Sequence, residues 1–163
     1  MTEKSAKELR YGWTTGACAT AATKAALTAL FGGEFPDPVT ITLPRGQKPA
    51  FVLATEEKGA DFSRVSIIKD AGDDPDVTHL ARIISTVRRG KAGAGIRFLA
   101  GDGVGTVTKE GLPVAVGEAA INPVPRQMMQ EVVQEVATNF NEPLDIDIEI
   151  SVENGDELAR HTM

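Results

Sequence analysis

At 163 residues, with 42% hydrophobic and 25% charged residues, the chain is long enough to bury its own core as a single domain without staples. A formal net charge of −6, with no basic stripe interleaved with aromatics, argues against nucleic acid as the main partner, and one cysteine excludes an internal disulfide framework and fits a reducing cytoplasm. No apolar stretch approaches the length of a membrane span, and the charged opening MTEKSAKELR is unlike a secretory signal.

After this polar arm, Leu9-Arg10-Tyr11-Gly12-Trp13-Thr14-Thr15-Gly16 leads into an alanine-rich helix predicted over about 17–31, capped by Thr14 or Thr15 and stopped by Gly32-Gly33. Ala19, Ala21, Ala22, Ala25, Ala26 and Ala29 leave it almost without bulk, so another backbone or a flat ligand can approach closely. Thr14, Thr15 and Gly16 offer hydroxyls and free N–H groups at the positive end of the helix dipole. They read either as the start of a well-capped packing helix or as a cradle for an anion. Cys18, among small apolar neighbours and with no base adjacent in sequence, reads as a buried spectator.

Strands are expected at 39–43 and 51–55, joined through Pro44-Arg45-Gly46, and at 64–68. The third runs into Lys69-Asp70-Ala71-Gly72-Asp73-Asp74-Pro75-Asp76-Val77-Thr78-His79. Asp74 fits an N-cap, Pro75 the first helical position, and Asp76 the positive end of the dipole. Val77, Leu80, Ala81, Ile84 and Val87 recur at three- and four-residue steps, which predicts a helix closing with Arg88, Arg89 and Gly90. A strand that passes through a polar turn into a helix puts functional groups where α/β proteins often place ligands. Four carboxylates within seven residues, Asp70, Asp73, Asp74 and Asp76, leave three readings. One is a solvated acidic helix start. Another is a divalent-metal site joined by His79, although the position-six glycine and twelfth-position Glu of a calcium loop are missing. The third is a ligand-facing turn in which Lys69 and backbone N–H groups meet an anion.

A strand at 96–99 is followed at once by Gly101-Asp102-Gly103-Val104-Gly105. The cluster does not match GxGxxG and no long helix starts behind it, so the dinucleotide fingerprint fails. What it predicts is a tight turn whose backbone closely approaches either a ligand or the first helix. Residues 106–108 continue as a short strand. In the segment 117–126, Pro123 and Pro125 predict extended backbone that delivers Asn122 and Arg126 to the start of a long amphipathic helix. Met128, Met129, Val132, Val133, Val136 and Phe140 form the apolar stripe of that helix. Arg126 stands in its first turn, where the dipole disfavours a cation, and so calls for a ligand or a carboxylate partner. The strand at 144–152 alternates, with Leu144, Ile146, Ile148 and Ile150 inward and Asp145, Asp147 and Glu149 outward. Residues 155–163 look like the start of a helix between domains. The elements add up to one α+β domain over 1–163, a two-layer mixed β-sheet of five or six strands covered by about three helices.

Three stretches together carry a family resemblance: Arg10-Tyr11-Gly12-Trp13-Thr14-Thr15-Gly16-Ala17-Cys18-Ala19, residues 69–79 (KDAGDDPDVTH), and residues 103–126 with the segments GVGTVTK, GLPVAVGE and AINPVPR. In order, from about Leu9 to Met163, the chain resembles the amino-terminal half of the CbiD family, the cobalt-precorrin-5B C1-methyltransferases of anaerobic cobalamin biosynthesis. The resemblance implies transfer of a methyl group from S-adenosylmethionine to C1 of an anionic corrinoid, with cobalt entering only as part of the substrate and no metal site on the protein. It also implies a Rossmann-like, glycine-rich second domain, absent from these 163 residues, so that partners include a second domain or a second copy of the chain. An acidic protein can hold the substrate's carboxylates only through local donors, here Thr14, Thr15, Gly16, Lys69, Asn122 and Arg126, with Arg45 and Lys109 in reserve. Gly101, Gly103 and Gly105 form the turn expected at the methyl donor, and Asp70 or Asp73 is expected to accept a proton or face the sulfonium. Two rival readings are a non-catalytic tetrapyrrole-binding module and a divalent-metal hydrolase built on the turn from Asp70 to Asp76. A second ligand cluster with metal spacing is missing, which counts against the latter.

Overall fold

Thr14 opens the first helix in a computed structural model that describes residues 14–69, 81–105 and 118–153. Its extended backbone lies outside the helix and its Oγ1 accepts the Ala17 N–H at 3.1 Å, so α1 runs over Thr15–Leu30. At the other end the Phe31 N–H still reaches Leu27 O at 3.0 Å, and Gly32, at φ +105°, turns the chain away. The antiparallel pair β1 (Val39–Thr40) and β2 (Ala50–Phe51) follows, then β3 (Thr55–Lys58), β4 (Phe62–Lys69), β5 (Ala81–Arg89), β6 (Arg97–Ala100), α2 (Pro123–Phe140) and β7 (Ile146–Glu153). The larger sheet has the order β3-β4-β5-β7-β6. All its pairings are antiparallel except β6 with β7, which α2 joins as a parallel crossover.

Residues 81–89, expected to complete a helix, are instead the strand β5. Ala81, Ile84 and Val87 satisfy the helical spacing, but β-branched Ile83, Ile84, Thr86 and Val87 suit a pleated surface better. The sheet also offers them partners along their whole length, from Lys69–Ala81 to Phe62–Arg88 on β4 and from Arg82–Glu153 to Arg89–Ile146 on β7. The buried side is therefore Ile83, Ser85 and Val87, at period two. The proposed cap at Asp74, and Val77 and Leu80 with it, lie outside the described residues. Two helices, not three, thus cover the sheet among the described residues.

Smaller corrections have local causes. The strand expected at 39–43 shortens to Val39–Thr40, and the one at 51–55 divides between β2 and β3. Leu144 precedes β7 and is 41% exposed, while Ile146, Ile148 and Ile150 face inward as expected. Pro123 and Pro125 are not extended but helical, in the first turn of α2, where a missing N–H leaves no bond unmade. Asn122, just before them, is extended. Phe140 ends the α2 stripe at 36% exposure, with its ring tilted against Phe31 at a centroid distance of 6.2 Å.

Both helices lie on one face of the sheet. α1 presses against β4 and β5 because Ala21, Ala22, Ala25 and Ala26 interpose only methyl groups, and α2 packs on α1 through Met129, Val132, Val133 and Val136. One polar link crosses this core: the Thr23 and Ser85 hydroxyls share a hydrogen bond of 2.7 Å, with Met129 Sδ 3.5 Å from Thr23 Oγ1. The Thr23 and Ser85 hydroxyls thereby satisfy each other, which offsets the cost of desolvating them.

The other face is wet. Arg82 pairs with Glu153 at 2.6 Å, Arg64 with Glu57 at 2.6 Å, and Arg88 with Glu149 at 3.4 Å, while Arg97 donates two hydrogen bonds of 2.8 Å to Asp147. The cross-strand row Thr55, Ser66, Ile84 and Ser151 carries short side chains between these longer ones. A cleft of about 410 Å³ results, flanked by Arg64, Arg82, Glu149 and Glu153, whose charges are already neutralised in pairs.

Two tests follow from this packing. Ile148 is fully buried on the interior strand β7, so Ile148→Ala should cost about 2–5 kcal/mol in denaturant unfolding. The fork from Arg97 holds the Asp147 carboxyl below its ordinary value of 3.8, so its stabilisation is fully present above 3.8 and is lost at lower pH, as the carboxyl protonates in the folded chain. Asp147→Asn should therefore lower Tm at pH 7, and the gap to the native chain should close at strongly acid pH.

Candidate functional site

The turn after β6 is held by β7. Gly101 N–H donates to Ile150 O at 2.8 Å, Val152 N–H to Asp102 O at 2.7 Å, and Val104 N–H closes the turn on Gly101 O at 3.1 Å. A Cβ on Gly101 would fall 2.1 Å from Ser151 Oγ, and one on Gly103, at φ +78°, 2.1 Å from Val152 O. The close approach expected of these glycines is therefore made to β7 rather than to the first helix. Gly105 stands in open space, and its carbonyl accepts the Ala120 N–H at 2.8 Å, which ties the turn to the segment leading into α2.

The two helices begin beside this turn. A Cβ on Gly16 would lie 2.7 Å from Pro125 Cγ, so the start of α1 runs against the start of α2 with no room for a side chain. Between these three pieces lies a cleft of about 280 Å³. Its apolar lining is Ala19, Ile121, Met129, Ile150 and Val152, and its polar and backbone lining is Thr15, Gly16, Asn122 and the glycines Gly103 and Gly105. Ala19, Ile121, Met129 and Ile150 are buried and form the floor, while Thr15, Asn122, Gly103 and Gly105 are exposed at the rim.

The rim is rich in donors. Ala17 N–H is taken by Thr14 Oγ1 and Cys18 N–H by Thr14 O, whereas the N–H groups of Thr15 and Gly16 lie in the first turn, where no helical carbonyl reaches them. The first turn of α2 adds little of this kind, because Pro123 and Pro125 have no N–H. Asn122 there makes no side-chain capping bond, so its amide is free to turn outward. Two helix dipoles thus point their positive ends at one small apolar cleft.

Of the residues singled out from sequence, the structure brings Thr15, Gly16, Gly103, Gly105 and Asn122 together in this cleft. Thr14 caps α1 behind them, and Gly101 packs on Ser151. Lys69 ends β4, two strands away from β7, and does not line the cleft. Arg45 is exposed on its own turn. Arg126, expected to seek a ligand or a carboxylate, donates instead from Nε to Ile121 O at 2.7 Å and from Nη2 to Ala119 O at 2.6 Å, with its guanidinium 5.0 Å from the Phe98 ring centroid. Asp70, Asp73, His79 and Lys109 lie outside the described residues. Among the described residues no three His, Cys, Asp or Glu side chains are placed to hold a metal ion, and no helix is long and apolar enough to cross a membrane.

Sequence reasoning found Ala19 but missed the rest of the floor. Ile121, Met129 and Ile150 carry the signature of ordinary core, and only their place beside the glycine turn distinguishes them. Cys18 is buried beside this end of α1, and burial pushes its thiol up to about 11, with the charge of Lys69 opposing the rise in part. That is the behaviour of a spectator.

A family model described as CbiD matches residues 2–163. The cobalt-precorrin-5B C(1)-methyltransferase of Agrobacterium fabrum is 59% identical over 161 residues, covering 99% of this chain and 42% of that protein. Its namesake from Brucella ovis is 61% identical over 155 residues, covering 95% of this chain and 42% of that protein. The crystal structure of the cobalamin biosynthesis protein (cbiD) from Archaeoglobus fulgidus is similar at a TM-score of 0.59 and 28% identity, across 93% of this chain and 46% of that one. The chain therefore spans about two fifths of the length of the curated relatives it matches.

Gly16→Val should cost about 1–3 kcal/mol in chemical denaturation, since the new side chain must displace Pro125. The Cys18 thiol should resist a thiol reagent in the folded protein at pH 8 and react only as fast as the chain unfolds. Rapid labelling of the folded state would show that α1 is not seated as described.

Proposed function

The chain belongs to the CbiD family, and we propose that it forms the part of a cobalt-precorrin-5B C(1)-methyltransferase that grips the corrinoid. The observation that supports this reading is the convergence of Thr15-Gly16, Gly103 to Gly105 and Asn122, far apart in sequence, on one donor-rimmed cleft. At about 280 Å³ it lies at the lower edge of ligand-pocket volumes, roughly 300–1,000 Å³, which suits one edge of a macrocycle and not the whole ring. In this reading a carboxylate arm of the corrinoid accepts hydrogen bonds from the N–H groups of Thr15 and Gly16, the Thr15 hydroxyl and the Asn122 amide. The apolar floor of Ala19, Ile121 and Met129 takes the adjoining hydrocarbon edge. This is how a chain of net charge −6 binds a polyanion: through fixed dipoles and backbone donors and not through a basic field.

S-adenosylmethionine is the donor in this proposal, and it supplies an electrophilic methyl group on a sulfonium. The reaction asks the protein for alignment of donor and carbon acceptor in a dry site, with cobalt arriving inside the substrate. The turn from Gly101 to Gly105 does not fit a donor cradle well, since β7 fills the spaces left by Gly101 and Gly103 and only Gly105 faces open room. No step is therefore assigned to that turn beyond shaping the cleft. Asp70, next to Lys69 in sequence, or Asp73, three residues beyond Asp70, is the proposed proton acceptor.

The test is an absorbance titration of the 163-residue chain with a cobalt corrinoid whose side arms are free carboxylates, such as cobyrinic acid. Saturable binding is expected, weakened about tenfold, or 1.4 kcal/mol, by Thr15→Val and by Asn122→Ala. A corrinoid with amidated arms should bind less well. Absence of saturation, or equal affinity for the acid and amide forms, would overturn the reading.

A further inference from the structure

Arg126 is held by three partners beside the cleft, of which Ile121 also lines it. Its Nε and Nη2 donate to Ile121 O and Ala119 O, two carbonyls of the segment that enters α2, and Ile121 N–H also donates to Ala119 O at 2.7 Å. The Ala120 N–H of the same segment donates to Gly105 O, on the turn after β6. The guanidinium also lies over Phe98, a buried side chain of β6. One side chain in the first turn of α2 thus fastens the 119–121 segment between α2 and β6. Ala120, Ile121 and Asn122 of that segment line the cleft, and Arg126 does not.

We propose that Arg126 is a positioning residue that sets the width of the cleft without touching the ligand, an inference that rests on the cleft being the corrinoid site. The chemistry requires arginine in particular. Two carbonyls on alternate residues need two donors at a fixed separation, and the flat guanidinium supplies them while stacking on a ring. A lysine ammonium keeps the charge but cannot hold both carbonyls and cover Phe98 together. The placement also explains a cation at the positive end of a helix dipole: two carbonyl dipoles and the face of an aromatic ring offset the unfavourable position. Direct ligand contact and positioning therefore predict different consequences for the same substitutions.

The experiment uses the full 163-residue chain as the native form and as Arg126→Lys, Arg126→Gln and Phe98→Leu. Exchange of the Ala120 amide with solvent is followed by NMR in the absence of ligand, with amides of β5 as the control for global folding. The affinity for cobyrinic acid is then measured at low and moderate salt. Positioning predicts that Lys and Gln both speed Ala120 exchange at least tenfold while β5 stays protected, and that both weaken corrinoid binding to a similar extent with an unchanged salt dependence. Phe98→Leu, which keeps the charge but removes the ring, should give an intermediate acceleration. Restoration of affinity by Lys, a shallower salt dependence in Gln, or unchanged Ala120 exchange in all three variants would overturn the proposal. If the native chain fails to bind the corrinoid, the functional reading falls, and the exchange data still decide whether Arg126 holds the segment.

Discussion

The near absence of side chains on α1 is the constraint on which the rest of the structure depends. Ala21, Ala22, Ala25 and Ala26 are fully buried because α1 packs against both the sheet and α2, where these positions interpose only methyl groups. A helix squeezed in this way gains little from any one residue, and its stability comes from contact around its whole circumference. The same closeness brings Gly16 against Pro125 and so places two helix N-termini side by side at the end of the sheet where β6 and β7 give way to the glycine turn. The cleft is thus a by-product of how tightly α1 is packed, and bulk added near the start of α1 or α2 acts on stability and on the cleft together.

Charge is distributed so that the two faces of the sheet do different work. On the wet face, guanidiniums and carboxylates meet in cross-strand pairs and leave little net field. On the helix-covered side, among the described residues, the polar groups lining the cleft are uncharged, and the Arg126 guanidinium is spent on backbone carbonyls and a ring. In the proposed reading, oriented N–H groups would hold a polyanion without the salt sensitivity and loose geometry of a lysine-rich surface.

Much of this was legible in the sequence wherever the cue was local. Thr14, the alanine run and Gly32 mark α1 almost to the residue, and the alternation after Asp145 marks β7. β5 was not legible, because Asp74-Pro75-Asp76 reads as a strong helix start and Ala81, Ile84 and Val87 fall at helical spacing. The competing signal, four β-branched residues in five positions from Ile83, matters only once β4 and β7 are there to pair with them. At the cleft, caps and glycines drew attention to Thr15, Gly16, Gly103, Gly105 and Asn122, although the glycines were expected at the methyl donor and not beside Thr15. Arg126 was read as a ligand group because its true acceptors are backbone carbonyls, which leave no trace in side-chain identity.

The most direct test of the corrinoid cleft is a two-dimensional amide shift map of the isotope-labelled chain with and without cobyrinic acid. The cleft reading predicts that the largest shifts fall on Thr15, Gly16, Gly103, Gly105 and the Asn122 side-chain amide, three separate stretches responding together at one ligand concentration. Shifts centred on Arg64, Arg82 and Glu149 across the wet face of the sheet, with those five signals unmoved, would contradict it.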